Sequence, residues 1–599
     1  MSSLFRKKSI DKIVADSQLA ANDSHGSNLH RVLKLKDLTF FGIAAILGAG
    51  SFSSLGGAVF HGGPGVVILF VITAVACAFT AFCYSEFASR IPVAGSAYTY
   101  AYASFGELFA WMIGWALIME YSIGNIYVAY SWSDYFTSFL EKININMPQY
   151  LCTSYMEAKH EIINGTTKAE VLDAWNNAPM VGGLRIIFDL PALIINLLIT
   201  ALVFRGIKES RNFSNVMVIL KMIVVSLVII VGGYLVFAHG LTVNWHPVND
   251  AGVKSFMPNG FGGVMMAVSG VFFAYIGFDA VSVLAEESEN PQRDLPRGMI
   301  LSLVICTVVY ILLTLVLTGA VNYRSFEGVG DPLAFIFEKQ NLNVSWMQFF
   351  VAIAAVIAMT SVLLVFQMGQ PRIWMSMSRD GLLPPIFQRI HPKYKTPSFA
   401  TIITGLVVGV PILFTDKTFV LDFTSIATLF AFVLVCGGVL LIPRKEKEAG
   451  KFHIPYINGQ YTFPVLIVIS LLVAWILNHQ YFQELFSFSL TAAETKAATA
   501  GIDVAKPDIM QLNIDNAILA KKTLNISTII FWLCCLFVSI VSFVKKYSLI
   551  PLLGLTTCMY LLTGMTAKNW AWFASWLALG LVVYFMYGYK KSKLALNTV

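Results

Sequence analysis

The sequence contains little charge for its length. Only 13% of its 599 residues are Asp, Glu, Lys or Arg, whereas 57% are hydrophobic. Soluble domains average about 25% charged residues, so this chain cannot cover a water-facing surface of the expected area. The composition therefore excludes a soluble multidomain protein and indicates that most of the chain is surrounded by lipid.

Motifs of catalytic chemistry are also missing from the sequence. It contains no His-Glu-x-x-His, no Gly-x-Ser-x-Gly and no phosphate-binding glycine loop, and its nine histidines form no cluster within an apolar segment. The formal net charge is +7, but the cations occur in short clusters between apolar runs rather than on one basic face. We therefore expect neither an enzyme nor a nucleic-acid-binding protein, and no cofactor or metal ion.

Long apolar segments recur along the chain at the length of a bilayer-spanning helix, about 20 residues. Because backbone groups in lipid must be satisfied internally, each segment is predicted to be a helix. We predict an all-α integral membrane protein with about fourteen spans, at 39–60, 64–89, 106–136, 185–204, 214–238, 260–285, 298–320, 346–377, 398–414, 421–442, 462–478, 527–544, 549–565 and 570–587.

The distribution of lysine and arginine predicts the orientation of these spans. Most of the cations lie in short connections on the same side of the membrane as the N-terminus. Because such cations mark the cytoplasmic side, we expect the N-terminus in the cytoplasm. The membrane is expected to be the inner membrane of the cell. An even number of spans places the C-terminus in the cytoplasm too. The predicted regions are a cytoplasmic tail (1–36), a ten-helix transport core (37–442, with repeats 37–238 and 260–442), a cytoplasmic linker (443–460), four additional helices (461–588, with external loop 479–525) and a cytoplasmic tail (589–599).

Two of the predicted spans are interrupted by glycine near their middle. The first contains Gly48-Ala49-Gly50, and the sixth contains Ile276-Gly277 followed by an acid, Asp279. Close helix packing is one explanation for glycine in a membrane helix. However, the breaks occupy corresponding positions of two five-helix halves, where broken helices turn N–H groups toward an anion and carbonyls toward a cation. We therefore favour a substrate site, and an α-amino acid carries both charges.

Ionisable residues well inside the predicted spans are few, and each is costly there. Lys221 in the fifth span is either an amine satisfied by carbonyls of the broken first helix or a titrating group that moves a proton. Glu120 in the third span is either a structural acceptor or part of the substrate or proton path. For Asp279, a helix-capping role is at least as plausible as a substrate contact.

Several motifs in order along the core resemble the amino acid–polyamine–organocation superfamily, in particular its cationic amino acid transporter-like branch of bacterial permeases. They are Gly48-Ala49-Gly50, Gly62-Gly63-Pro64-Gly65, Tyr84 through Tyr100, Gly114-Trp115 through Glu120-Tyr121, Phe272 through Ala280, Asn290 through Pro296, and Gly369-Gln370-Pro371-Arg372 through Pro384. Each motif alone is weak evidence, but the ordered set spans the whole ten-helix core.

The resemblance implies a fold of two inverted five-helix repeats, the leucine-transporter-like architecture. It also implies residue roles. By analogy, the N–H groups of Gly48, Ala49 and Gly50 hold the substrate carboxylate. The ammonium is held by the carbonyls of Ile46, Phe273 and Ile276, and Phe273 is the gate over the substrate. Lys221 is the proton-coupling residue, with Thr360 and Ser361 nearby, and Glu120 and Asp279 are auxiliary polar groups.

Two departures from the family pattern are visible. Ser51 and Ser53 follow the first break where apolar residues are usual. The last four helices, with a long external loop before the twelfth, differ from the simpler twelve-helix members and resemble fourteen-helix ones, and we expect no substrate contacts from them. The expected function is proton-coupled uptake of an amino acid across the bilayer by alternating access. The alternatives are a cationic amino acid uniporter or exchanger driven by membrane potential, and a receptor or membrane enzyme that retains the fold without transport.

Overall fold

Helices make up almost all of the computed structural model, which describes residues 6–13, 33–48, 50–93, 95–163, 169–205, 210–249, 252–394, 396–443, 451–477, 479–490 and 507–596, and residues 4, 15 and 495. The helices of the core are α1 (Leu35–Ile46), α2 (Leu55–Gly62), α3 (Val66–Arg90), α4 (Ala97–Ser104), α5 (Glu107–Lys142), α6 (Tyr155–Ile163), α7 (Ala169–Asn177), α8 (Leu190–Arg205), α9 (Ser210–Leu227), α10 (Gly233–Ala238), α11 (Gly260–Met266), α12 (Val268–Tyr275), α13 (Pro291–Ala320), α14 (Pro332–Phe335), α15 (Ser345–Arg379), α16 (Ser398–Ile412) and α17 (Lys417–Leu441).

Further helices follow the core. They are α18 (Gly459–Leu477), α19 (Tyr481–Leu485), α20 (Pro507–Lys545), α21 (Leu549–Thr563), α22 (Ala567–Val583), α23 (Tyr589–Lys591) and α24 (Lys593–Leu596). A two-residue antiparallel hairpin, β1 (Met180–Val181) with β2 (Leu184–Arg185), lies between α7 and α8. The prediction of a helical membrane protein is confirmed.

Nine helical stretches of the described chain are long and apolar enough to cross a membrane: Leu35–Arg90, Asn215–Ala238, Val268–Ala285, Pro291–Ala320, Ser345–Arg379, Phe419–Leu441, Gly459–Ile476, Ile514–Lys545 and Ala567–Lys591. The first of them is 56 residues long and contains two predicted spans. The shorter apolar helices α8, α16 and α21 coincide with three more, and α5 covers the remaining one. Helices therefore lie over all fourteen predicted segments.

The twelfth predicted segment begins earlier than its hydropathy suggests. Helix α20 starts at Pro507, about 20 residues before the predicted start, inside the segment predicted as the external loop 479–525. Its first part contains Asp and Lys, which are too polar for a span, but it also contains Ala and Leu, which are good helix formers. Hydropathy alone cannot distinguish such a helical extension from a loop. Residues 491–494 and 496–506 of this loop lie outside the described residues.

Helix contacts in the core occur in exchanged pairs. Helix α1 packs on α13 and on α9, while α12, which carries the second break, packs on α3 and on α17. Helix α5 packs on α17, and α15 packs on α9; likewise α3 contacts α17, and α13 contacts α10. The pairs α3–α13, α5–α15 and α8–α16 also pack together. If each of the first five spans is exchanged with the span five positions later, every contact named here becomes another contact of the same set or remains the same contact.

The helices after the core pack on one side of it. Helix α21 contacts α3 and α17, and α22 contacts α17 and α5. Two tryptophans of α5 fasten α22: the Trp111 indole donates to the Gly580 carbonyl at 2.8 Å, and Trp115 donates to the Trp576 carbonyl at 2.8 Å. The rings of Trp115 and Trp576 are stacked, with centroids 4.9 Å apart.

The two ends of the described chain meet at the first turn of α5. Glu107 is fully buried there, and its carboxylate accepts hydrogen bonds from the Tyr584 hydroxyl at 2.9 Å and the Ser592 hydroxyl at 2.5 Å. Near the N-terminus, Lys8 forms an ion pair with Asp380 at 2.9 Å, just beyond α15. Residues close to both termini are thus held against the same end of the core.

Candidate functional site

The two helix breaks cross one another in the middle of the core. Helix α1 ends at Ile46, and a π-helical turn, Gly50–Ser54, joins it to α2. Helix α12 ends at Tyr275, after which Ile276 is extended and Gly277 adopts a φ of +118°. A Cβ atom on Gly50 would lie 2.5 Å from Ala274 Cα, and one on Gly277 would lie 2.7 Å from Ala45 Cβ. Glycine is therefore required at both helix breaks, at Gly50 in the first and at Gly277 in the second.

The predicted substrate-binding backbone groups lie at these breaks with different local partners. The Gly48 N–H donates to the Ile46 carbonyl at 2.9 Å, and the Ile276 N–H donates to the Phe273 carbonyl at 3.2 Å. Gly50 and Ala274 are in close contact, as described above, and Ala49 lies outside the described residues. The chain thus brings both breaks together, with part of their polar backbone engaged locally.

Lys221 of α9 reaches the first break. It is fully buried, and its Nζ donates to the Ala44 carbonyl at 2.9 Å, to the Leu47 carbonyl at 2.8 Å and to the Ser361 hydroxyl at 3.2 Å. These three acceptors match the three N–H donors of a lysine ammonium. Thr360, the neighbour of Ser361, instead accepts from the Trp132 indole at 2.9 Å. Lys221 is therefore bonded to the breakpoint of α1 and to α15 at once.

Tyr310 of α13 is a polar group at the crossing that we did not predict. Its hydroxyl lies 2.7 Å from the Ile46 carbonyl and 2.7 Å from the Ala274 carbonyl, one from each broken helix. Because a hydroxyl carries one proton, it can donate to only one of them at a time. A buried tyrosine hydroxyl usually finds a hydrogen-bond partner. A tyrosine within an apolar run of α13 was therefore the only sign in the sequence that this position has a polar role.

We expect Tyr310→Phe to lower both transport and stability. The change leaves the Ile46 and Ala274 carbonyls buried without this donor, at a cost of about 1–3 kcal/mol. The measurement is the thermal unfolding midpoint of the purified protein together with its uptake rate. Tyr275→Phe is the matched control, because the Tyr275 ring packs on Tyr310 but its hydroxyl bonds the Phe70 carbonyl of an unbroken helix. Equal effects of the two changes would remove the special role of Tyr310.

Phe273 faces an aromatic partner on α5. Its ring meets the Tyr127 ring edge to face, with centroids 4.6 Å apart, and Phe273 is 5% exposed. The Tyr127 hydroxyl lies 3.4 Å from the Ser53 hydroxyl, so one of the serines that departs from the family pattern is part of this contact. Beyond Tyr127, Lys417 lies over its ring and is paired with Asp134. Two rings from opposite halves of the core therefore lie next to the crossing.

Glu120 and Asp279 form a second buried polar group, separate from Lys221. Glu120 is 2% exposed and Asp279 is 1% exposed. One Glu120 oxygen, both Asp279 carboxylate oxygens and the hydroxyls of Tyr84 and Tyr121 have no hydrogen-bond partner among the described residues. Such a set can hold water, a proton or a cationic group. In the described part of the chain, no group of three or more His, Cys, Asp or Glu residues is placed to hold a metal ion.

Comparison with known proteins identifies the family. The family model for amino acid permease matches residues 33–493, and the model for the C-terminus of AA_permease matches residues 547–592. The chain is 40% identical to the branched-chain amino acid permease BcaP of Bacillus subtilis, over 74% of this chain and 87% of that protein. It is 38% identical to the methylthioribose transporter of the same organism, over 78% of this chain and 91% of that protein.

A plant relative matches almost the whole length. The vacuolar cationic amino acid transporter 2 of Arabidopsis thaliana is 31% identical over 99% of this chain and 93% of its own length. The match therefore includes the helices after the core as well as the core itself. Together with the family models, it confirms the resemblance derived from the sequence motifs and excludes the enzyme alternative. The chain belongs to the amino acid permeases of the amino acid–polyamine–organocation superfamily and is a membrane transporter.

Proposed function

We propose that this permease is a secondary active transporter that takes up amino acids together with protons by alternating access. The observation that carries the proposal is the crossing of two helix breaks with Lys221 bonded to the first of them. The crossing offers backbone groups of both polarities to a zwitterion. The Lys221 amine, which is itself a group that can gain or lose a proton, is bonded to the backbone of the first break.

The proposed fold behind this mechanism is a pair of inverted five-helix repeats, 37–238 and 260–442. Its support is the exchange of helix contacts between the halves, such as α1 on α13 against α12 on α3. A single fold without internal symmetry would have no reason to repeat its contacts five spans later. Rocking of one set of helices against the other would then open the site to each side in turn.

In the proposed site the substrate carboxylate lies against the N–H groups of Gly48, Ala49 and Gly50. The ammonium lies against the carbonyls of Ile46, Phe273 and Ile276. The Gly48 N–H is bonded to the Ile46 carbonyl, and the Phe273 carbonyl accepts from the Ile276 N–H. Substrate would replace these local partners, which lower the cost of an empty site between transport cycles. Phe273 is proposed as the gate, since it lies two residues before the end of α12 at the second break and its ring packs on Tyr127 of α5.

The alternative is voltage-driven uniport or exchange of a cationic amino acid. It is favoured by the similarity to the vacuolar cationic amino acid transporter 2 of Arabidopsis thaliana. Glu120 is the residue in the core that we would assign to a cationic side chain. We propose neutral or broad specificity instead, in keeping with the branched-chain permease among the bacterial relatives.

Proteoliposomes containing the purified protein distinguish these functions. Uptake of labelled leucine and lysine should be measured with a pH gradient alone, with a membrane potential alone and with neither. Leucine accumulation driven by the pH gradient supports proton symport. Accumulation of lysine alone, and only with a membrane potential, would support the uniporter, whereas uptake of neither amino acid would refute both transport proposals for these substrates.

The gate proposal predicts that Phe273→Ala reduces transport without preventing assembly in the membrane. Removing a ring beside a polar site leaves space that water can enter, so the cost to folding is smaller than in a dry core. We expect uptake to fall at least tenfold with normal surface abundance. Phe261→Ala at the start of α11, where the ring is 47% exposed, is the matched control. Unchanged uptake kinetics in Phe273→Ala would exclude this residue from the site.

We further propose that the protein lies in the cell membrane with residues 1–36 and 589–599 in the cytoplasm and 479–525 outside. In a Cys152→Ser background, an impermeant maleimide added to intact cells should label Ser489→Cys and should not label Lys590→Cys. Both positions are exposed. The reverse pattern of labelling would contradict the orientation predicted from the positive-inside rule.

A further inference from the structure

A cavity of about 700 Å³ lies where the core meets the helices that follow it. Its walls are the ends of α3 and α17, the segment 453–456 and the turn between α20 and α21. Its lining includes the apolar residues Phe87, Val439 and Leu440. It also includes Arg90, Lys545 and Lys546, among other polar groups. The cavity is therefore amphipathic.

Residues 453–456 of the cavity wall belong to a segment that is fixed at both ends. The Phe452 N–H donates to the Ser89 hydroxyl at 2.9 Å, and the Ile454 N–H donates to Glu86 at 2.7 Å. At the other end, the Leu549 N–H donates to the Ile457 carbonyl at 2.8 Å. These bonds tie the segment to α3 on one side and to α21 on the other, so the cavity has a defined shape.

Two polar atoms in the cavity wall are shielded from solvent and have no hydrogen-bond partner in the described part of the chain. They are Arg90 Nε and the Ser548 hydroxyl oxygen. The Arg90 guanidinium uses its other nitrogens to bond the Pro443 carbonyl at 2.8 Å and Glu86 at 2.5 Å. Ser548 precedes α21 without a side-chain bond to that helix. Buried donors without acceptors are rare in native proteins, and both residues belong to the cavity lining.

The charges in the wall indicate the chemistry of an occupant. Arg90, Lys545 and Lys546 are opposed by one carboxylate, Glu86, among the lining residues. An anion with several oxygens satisfies this set, and phosphate is the common one. A free phosphate, however, would leave the apolar residues of the lining facing water. An anionic phospholipid can contact both kinds of residue, because it joins a charged headgroup to an acyl chain.

We propose that this cavity binds one anionic phospholipid, with its phosphate against Arg90, Lys545 and Lys546 and an acyl chain against the apolar residues of the lining. Basic pockets between membrane helices are known to hold such headgroups. The bound lipid would contact α3 and α17 of the core and the α20–α21 turn at the same time. Its role is therefore to join the additional helices to the core, a role for these helices that does not involve substrate.

The test uses the purified full-length protein and phosphatidylglycerol, phosphatidylcholine and inorganic phosphate as three separate probes. Native mass spectrometry counts retained lipids, and thermal unfolding measures their effect. We expect one saturable phosphatidylglycerol, little binding of phosphatidylcholine and no stabilisation by phosphate at matched concentration. Lys545→Gln with Lys546→Asn should weaken phosphatidylglycerol binding about 30-fold, roughly fivefold for each lysine. Asn suits position 546 because its φ is +53°.

The matched control is Lys590→Gln with Lys591→Gln, which removes the same charge from the end of another helix and should leave binding unchanged. Ser548→Ala keeps every charge, and we expect it to weaken binding about tenfold; it carries the test if the lysine variant does not fold. Absence of saturable binding, or an equal loss in the control pair, would overturn the proposal. Displacement of the lipid by inorganic phosphate would reassign the cavity to a free anion and overturn the lipid.

Discussion

Lys221→Met is expected to abolish accumulation of substrate driven by a pH gradient. A lysine ammonium has three N–H donors, and the structure gives it three uncharged acceptors, the Ala44 and Leu47 carbonyls and the Ser361 hydroxyl. A neutral amine has only two N–H donors, so loss of the proton must release one acceptor. Two of the three acceptors flank Ile46 at the first break. Proton transfer at Lys221 would thereby change the backbone that we propose binds the substrate.

The size of the expected effect follows from the driving force. One proton moving through ~100 mV supplies about 2.3 kcal/mol, and each tenfold of accumulation requires about 1.4 kcal/mol. One proton per substrate therefore sustains accumulation on the order of 50-fold, before any pH gradient is added. Without coupling, the ratio of inside to outside concentration should fall to about 1 for a neutral substrate, by the same arithmetic.

Proteoliposomes loaded with unlabelled substrate provide the control for Lys221→Met. Exchange of labelled for unlabelled amino acid needs no net proton movement, so the variant should retain exchange and detergent-solubilised substrate binding. Ser361→Ala removes one acceptor and keeps the amine, and it should retain part of the proton-driven uptake. If Lys221→Met still accumulates substrate on a pH gradient, Lys221 is not the coupling residue, and proton symport runs through another group.

Gly277→Ala is expected to cause the largest loss of stability among single substitutions at the crossing. The residue has a φ of +118°, which a side chain rarely adopts. The new Cβ would also lie 2.7 Å from Ala45 Cβ and 3.0 Å from the Ala45 carbonyl carbon, and the latter is backbone. Strained backbone and overpacking each cost about 1–3 kcal/mol. We expect little monodisperse protein by size-exclusion chromatography in detergent and no uptake.

The control is Gly57→Ala in α2, where an added Cβ meets nothing within 4 Å. It should leave yield and uptake near wild type. The double variant Ala45→Gly with Gly277→Ala removes one of the two clashes and keeps the backbone strain, so it should recover only part of the yield. Full tolerance of Gly277→Ala alone would show that the two broken helices do not approach as closely as described.

The breaks were predictable from sequence because glycine at mid-membrane carries a cost that something must offset. The sequence left two interpretations of Lys221 open, and its bonds to the Ala44 and Leu47 carbonyls are those of the first, an amine satisfied at the broken helix. Tyr310 was not predictable, since nothing in the apolar run around it indicates that its hydroxyl lies between two breaks. That arrangement depends on how α13 crosses α1 and α12.

The sequence also cannot show in which direction each of two adjacent residues on a helix points. Thr360 and Ser361 were predicted together near Lys221, but successive residues point about 100° apart around a helix. The chain turns Ser361 toward Lys221 and Thr360 toward Trp132. The early start of α20 has a similar cause, because its first turns are polar yet helical. The sequence thus predicts which helices form the site more readily than which face each one presents.

The burial of Ser592 has a consequence for truncation and tagging. The last residues of most domains tolerate removal, but here the Ser592 hydroxyl bonds a carboxylate, that of Glu107, which is itself fully buried. Trimming the chain back to Gly588 would remove that donor and leave the Tyr102 and Tyr584 hydroxyls as the hydrogen bonds to the Glu107 carboxylate. In energetic terms, Ser592 belongs to the interior of the protein although Lys590 and Lys591 beside it are exposed, so a tag is safer after residue 596 than in place of this segment.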